Sequence, residues 1–176
     1  MEGKNTTINF IIEYTKGTVH APRTRILGEV SAKDAETALA QCLLDPSHKK
    51  WKKSIGIKDK DYLQIYNPIG SISDSANHYT ARPGELIKNN KGLVRYIVEF
   101  TEGRTINNKI TKQLGQTWAK DAEAAVLKYL NPAHKDWVTD QESKNNYYIA
   151  IGNPDRTAMK MQYYTAKAVA RYSGHN

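Results

Sequence analysis

Cysteine is almost missing from this chain: Cys42 is the only one among 176 residues. No intramolecular disulfide can staple the fold, and a reducing compartment is its simplest setting. Phenylalanine is scarce, at 2 residues against 11 tyrosines. Tyrosine pairs an apolar body with a polar tip, which suits half-buried strands and contact surfaces. Long apolar runs are missing. Phe10-Ile11-Ile12 is a short run in an otherwise polar stretch 1–17, and nothing approaches the ~20 apolar residues that span a bilayer. A soluble, cytoplasmic protein that meets no membrane is the expectation. Acidic residues are outnumbered, 18 Asp plus Glu against 26 Lys plus Arg, for a formal charge of +8. A surplus of that size favours polyanions such as nucleic acid, or an acidic protein.

Patterns that carry chemistry are equally thin. The five histidines and the one cysteine fall at no spacing that resembles a metal site. No Ser-His-acid or Cys-His order stands out, no glycine-rich phosphate loop is present, and no acid pairs with a base in a plausible pocket. The reading is a non-enzymatic protein without catalytic residues, metal or cofactor.

What the chain does contain is an internal repeat. IIEYTKG (11–17) returns as IVEFTEG (97–103), AKDAETA (32–38) as AKDAEAA (119–125), and DPSHKKW (45–51) as NPAHKDW (131–137). YLQIYNP (62–68) returns as YIAIGNP (148–154), and HYTAR (78–82) as YYTAK (163–167), all in the same order at a near-constant offset. A residue kept in both copies is more a part of the scaffold than of a site peculiar to one half.

Each block has a physical reading. Ile8, Phe10 and Ile12, like Val94, Tyr96 and Val98, alternate with other residues, and period two with β-branched and aromatic side chains predicts a strand. Gly17 and Gly103 close it. A second strand is expected around 25–30 and 109–117, with Gly28 and Gly115 marking a bulge or close packing. Ala35, Ala38, Leu39, Cys42 and Leu43, and again Ala122, Ala125, Val126, Tyr129 and Leu130, fall at helical spacing. Pro46 and Pro132 are read as the stops of these helices. Strands at 62–66 and 147–151, then at 79–82 and 159–168, complete the unit. The predicted fold is α+β: a tandem duplication of a ββαββ unit, each a four-stranded antiparallel sheet with one helix on one face. Repeat 1 would span 1–83, a linker 84–93, and repeat 2 94–176.

His48 and His134, each followed by a tryptophan (Trp51, Trp137), read as a tight turn after the helix, with the indole packed back on the core. The basic run 48–60 is the sharpest difference between the copies. It carries Lys49, Lys50, Lys52, Lys53 and Lys58 around Trp51, where the second copy has Asp136, Asp140 and Glu142. Lysines beside an aromatic suit phosphate neutralisation and base stacking. In the last strand, Lys160 and Tyr164 would share one face, and Lys167 adds charge there. Lys49, Lys50, Lys52, Lys53, Lys58, Lys160, Tyr164 and Lys167 are therefore the candidate nucleic-acid contacts.

LGEVSAKDAETA (27–38) resembles the sheet-to-helix passage of plant-type DNA-binding domains. Those end at the helix, whereas this unit continues with strands and lacks the arginines their sheet would use, so the chain is not assigned to them. In style the helix start is similar to that of small proteins of bacteria and their phages. Two expectations result: nucleic-acid binding through basic sheet and loop faces, or a protein-interaction or assembly role, such as a virion part or an inhibitor of a host factor, with self-association.

Overall fold

A computed structural model of the chain describes residues 6–18, 21–53, 60–68, 77–105, 108–155 and 161–173. The chain forms two compact units, Met1–Glu85 with Ala170–Asn176, and Leu86–Val169. Both are built on antiparallel sheets with short helices, an α+β architecture. No helix among the described residues is long and apolar enough to cross a membrane.

In the first unit, β1 (Ile8–Thr18) and β2 (Ala21–Ala32) form a long hairpin. Helix α1 (Ala35–Ala40) follows, then a 3-10 helix (Pro46–Lys50), β3 (Lys52–Lys53), β4 (Leu63–Tyr66) and β5 (His78–Leu86). The sheet order is β2-β1-β5-β4-β3. Alternate residues of β1 (Phe10, Ile12, Tyr14) meet Tyr79, Ala81 and Ile65 beneath Ala35, Ala38 and Leu39 of the helix, and this is the core. Chain-terminal strand β11 (Ala170–Tyr172) pairs with β5.

The second unit runs β6 (Val94–Thr105), β7 (Asn108–Ala119), α2 (Ala122–Leu127), a 3-10 helix (Pro132–His134), β8 (Val138–Thr139), β9 (Tyr148–Gly152) and β10 (Met161–Ala168). Its sheet order, β7-β6-β10-β9-β8, is the same succession of strands. Tyr96, Val98, Ile149, Ile151, Tyr164 and Ala166 are buried, as are Ala122, Ala125 and Val126 of its helix.

Both helices start on an aspartate. Asp34 Oδ1 accepts the Thr37 N–H and Asp121 Oδ1 the Ala124 N–H, each at 2.8 Å, which satisfies an otherwise orphaned donor of the first turn. Hydrogen bonding from the Thr37 side chain, and then from its N–H, holds the Asp34 carboxyl below the usual carboxylate range. Each long hairpin carries a bulge at the same place, between Ile12 and Glu13 and between Val98 and Glu99. Gly28 and Gly115 stand beside it, under the helix exit. A Cβ on Gly115 would lie 2.5 Å from the Tyr129 hydroxyl, and one on Gly28 would lie 3.1 Å from Cys42 Sγ.

The structure corrects several expectations. Each sheet has more than four strands, because the chain leaving the 3-10 helix runs briefly beside the next strand (Lys52 opposite Tyr66, Val138 opposite Gly152). The helices end at Ala40 and Leu127, before the prolines. Pro46 and Pro132 open the 3-10 helices instead, where the missing N–H costs nothing. Residues 84–86, expected in a linker, continue β5, and 170–172, expected in the second half, belong to the first unit's sheet.

Candidate nucleic-acid interface

The turn after each helix is fixed by the same triad of rings. Asp45 and Asn131 cap the 3-10 helices by accepting the N–H of Ser47 (2.8 Å) and Ala133 (3.0 Å). His48 Nδ1 then lies 2.7 Å from the Tyr79 hydroxyl, and His134 Nδ1 2.9 Å from the Tyr164 hydroxyl. The same phenols accept main-chain N–H groups, from Leu44 (3.2 Å) and from Asn131 (3.4 Å). Each tryptophan stacks on its histidine, with ring centres 4.1 Å apart for His48–Trp51 and 3.9 Å for His134–Trp137. The sequence places the indoles on the core; they are half-buried, one side on the imidazole. Burial pushes the Tyr79 phenol up to about 12. With both hydroxyl and imidazole committed to the turn, the cluster is a pin that holds the turn to the sheet.

This pin presents the lysines. Lys49 and Lys50 lie on the 3-10 helix and Lys52 on β3, all exposed. Among the described residues no ion pair involves any of the three. Lys53 differs: its ammonium is 3.0 Å from Glu36, an exposed pair of small energetic weight. Lys58 and Lys160 lie outside the described residues.

Tyr164 requires a correction. Its expected place is an exposed face beside Lys160, but it is 5% exposed and points at the helix, its hydroxyl bound to the turn. Lys167 lies on the opposite face of β10, because odd and even residues of a strand part company. It is exposed and 2.7 Å from Glu99. The first unit has the matching pair, Arg82 with Glu13 at 3.0 Å, but there Tyr172 of β11 covers it. The Tyr172 ring lies 3.6 Å under the Arg82 guanidinium and its hydroxyl bonds Glu13. Burial first, and the Glu13 bond second, push the Tyr172 phenol up to about 12.

Further basic residues gather on β7 and the end of β6. In β7, Asn108 to Gln113 are exposed without alternation, an open edge of the sheet whose β6 partners are paired with β10 as far as Gly103. It carries Lys109 and Lys112, with Arg104 exposed on the β6 side. A matching Thr–Thr bond ties the two strands of each hairpin: Thr15–Thr24 at 2.8 Å and Thr101–Thr111 at 2.9 Å. Lys16 and Arg23, opposite one another, are exposed on the first unit's hairpin. A signal was present in the sequence: residues 108–113, NKITKQ, lack the apolar alternation of a strand that lies on a core.

Neither a family model, nor a curated protein, nor a solved structure matches this chain.

Proposed function

We propose that the protein is a non-enzymatic nucleic-acid-binding protein made of two fused copies of one ββαββ-based unit. Five in-register sequence blocks support the duplication, as do the shared strand order, the bulge and the ring-pinned turn. One observation carries the binding function. The second unit builds the same His–Trp–Tyr turn with Asp136, Val138 and Thr139 where the first has Lys50, Lys52 and Lys53. The fold does not need these lysines. Clustered exposed cations repel one another unless a polyanion answers them, and phosphate is the polyanion that a point-like ammonium suits.

The test is a salt series with the full chain and fluorescent oligonucleotides. Changing Lys49, Lys50 and Lys52 together to Gln should flatten the slope of log K against log salt by roughly 0.7–0.9 for each phosphate no longer neutralised. Affinity should fall about equally for every sequence, because phosphate contacts carry no direct sequence information. An unchanged slope refutes the role of this turn.

The alternative reading is a protein-interaction or assembly component, in a virion or against a host factor. It draws on the apolar side chains left exposed in the second unit, Leu127 and Val138 among them. Salt-insensitive self-association without oligonucleotide binding would favour it.

A further inference from the structure

We infer that the Asn108–Gln113 half of β7 is a docking edge, to which an extended acidic segment of a partner protein adds as a further antiparallel strand. This edge goes beyond the nucleic-acid reading, whose turn lysines lie in the first unit, and its test can fail without that reading failing.

β7 has one neighbour in its sheet, β6. Alternate residues of such a strand turn their N–H and C=O groups away from the sheet, a row that another extended chain can pair. The row is not free along its whole length. The Tyr129 hydroxyl donates to the Gln116 carbonyl at 2.9 Å, and the Lys128 ammonium to the Trp118 carbonyl at 2.7 Å. Residues of the helix exit thus close the far end of the edge. Asn108 to Gln113 have no such cap among the described residues and are exposed at every position.

The first unit treats the same edge differently. Counting from the matched threonines Thr24 and Thr111, Pro22 stands where the second unit has Lys109, and Arg23 where it has Ile110. A proline offers no N–H and blunts an edge. β7 contains none. Its Ile110 is 73% exposed, more than any other large apolar side chain among the described residues.

Charge selects the occupant. β7 carries Lys109 and Lys112 and no acid, and neither ammonium has an ion pair among the described residues. Edge lysines oppose a second copy of the same strand, which would bring lysines to lysines with no acid between them. An acidic strand neutralises them instead. The positions also set a pattern. Ile110 and Lys112 share the face of their cross-strand partners Glu102 and Phe100, and Lys109 lies on the other face. An antiparallel segment opposite Lys112, Thr111, Ile110 and Lys109 therefore reads acid, any residue, apolar, acid from its N-terminal end. Such cross-strand pairs give the edge its specificity, and the main-chain bonds give it affinity.

The experiment titrates the full chain at low salt with the fluorescein-labelled peptide Thr-Val-Glu-Thr-Ile-Glu-Val-Thr. Two further forms carry N-methyl groups on alternate amides, one at the odd and one at the even positions. An added strand bonds through one edge only. One form should therefore bind like the parent, and the other at least about tenfold more weakly, having lost its donors. K109Q/K112Q should weaken the parent peptide by roughly two- to fivefold for each pair lost, with circular dichroism and thermal melting showing that the variant folds. Amide exchange within 108–113 should slow at alternate residues when the peptide binds. Equal binding of the two methylated forms means charge attraction without strand addition and overturns the docking edge. Absence of peptide binding overturns it too. So does protection of 108–113 that follows protein concentration alone, which puts a second copy on the edge. Protection by a single-stranded oligonucleotide and not by the peptide would likewise overturn it and assign Lys109 and Lys112 to phosphate.

Discussion

Replacing Tyr164 with phenylalanine separates scaffold from surface. The hydroxyl of this buried ring takes the Asn131 N–H at 3.4 Å and meets His134 Nδ1 at 2.9 Å. The first bond is at the long limit of a useful geometry and the second is a full one. Removing the hydroxyl leaves a ring nitrogen and a main-chain N–H without their partner in a half-buried turn, at a cost of about 1–2 kcal/mol. With a urea m-value of about 2 kcal/mol/M, the unfolding midpoint should fall by roughly 0.5–1 M. Trp137, whose ring centre is 5.6 Å from that of Tyr164, reports the transition by fluorescence. His134→Ala should cost less when combined with Tyr164→Phe than in the wild type, because the two side chains share one bond. Affinity for oligonucleotides should change less than about twofold, within the range expected of a residue that makes no contact with ligand. A tenfold fall in affinity with an unchanged midpoint would place Tyr164 on the binding surface and refute the pin.

Two further outcomes are expected. Gly115→Ala drives a methyl into the Tyr129 ring, whose hydroxyl bonds the Gln116 carbonyl at 2.9 Å, and should cost about 1–3 kcal/mol. Gly28→Ala, which asks Cys42 to yield only slightly, should cost under about 1 kcal/mol by the same urea titration, and equal losses would contradict this packing. Tyr79 and Tyr172 have folded-state values raised to about 12 from an ordinary 10.0. Their contribution to stability is complete below pH 10 and is lost as pH rises from there through about 12. The stability gap between wild type and Tyr79→Phe should therefore be constant below pH 10 and narrow above it, with phenolate absorbance appearing over the same interval. Full ionisation near pH 10 in the folded protein would contradict the burial.

The architecture was legible because the core obeys simple periods. Phe10, Ile12 and Tyr14 alternate in β1, and Ala35, Ala38 and Leu39 recur at helical spacing, so strand and helix could be told apart. The two glycines of the bulge were legible for a different reason, since no side chain fits where Tyr129 lies against Gly115. The failures have physical causes as well. Two-residue strands such as Lys52–Lys53 have no period to detect. The helices stop short of their apolar stripe because Cys42, Leu43 and Tyr129 bury themselves from a turn as well as from a helix. Counting from Lys160 alone puts Tyr164 on the wrong face. The motif shared by HYTAR and YYTAK already held the answer, because the tyrosine common to both blocks is bound into the turn of its own unit.

That last point bears on where function should be sought. Positions that match between the units are occupied by their own structure. His48 and His134 are held by Tyr79 and Tyr164, and Glu13 and Glu99 by Arg82 and Lys167. A ligand competing for these groups would have to break a pin or an ion pair that the sheet supports. The unmatched positions are under no such constraint. Lys50 corresponds to Asp136 of the other turn, and Lys52 to Val138; Ile110 is bare where a strand on a sheet would alternate. Lys49, Lys50 and Lys52 lie beside β3, at one edge of their sheet, whereas Lys16 and Arg23 lie on β1 and β2, toward the opposite edge. On the nucleic-acid reading proposed above, the first unit would offer phosphates two separate places, the turn and the end of the β1–β2 hairpin. Variants of the two should act additively on the logarithm of affinity, since exposed sites so far apart share no partner.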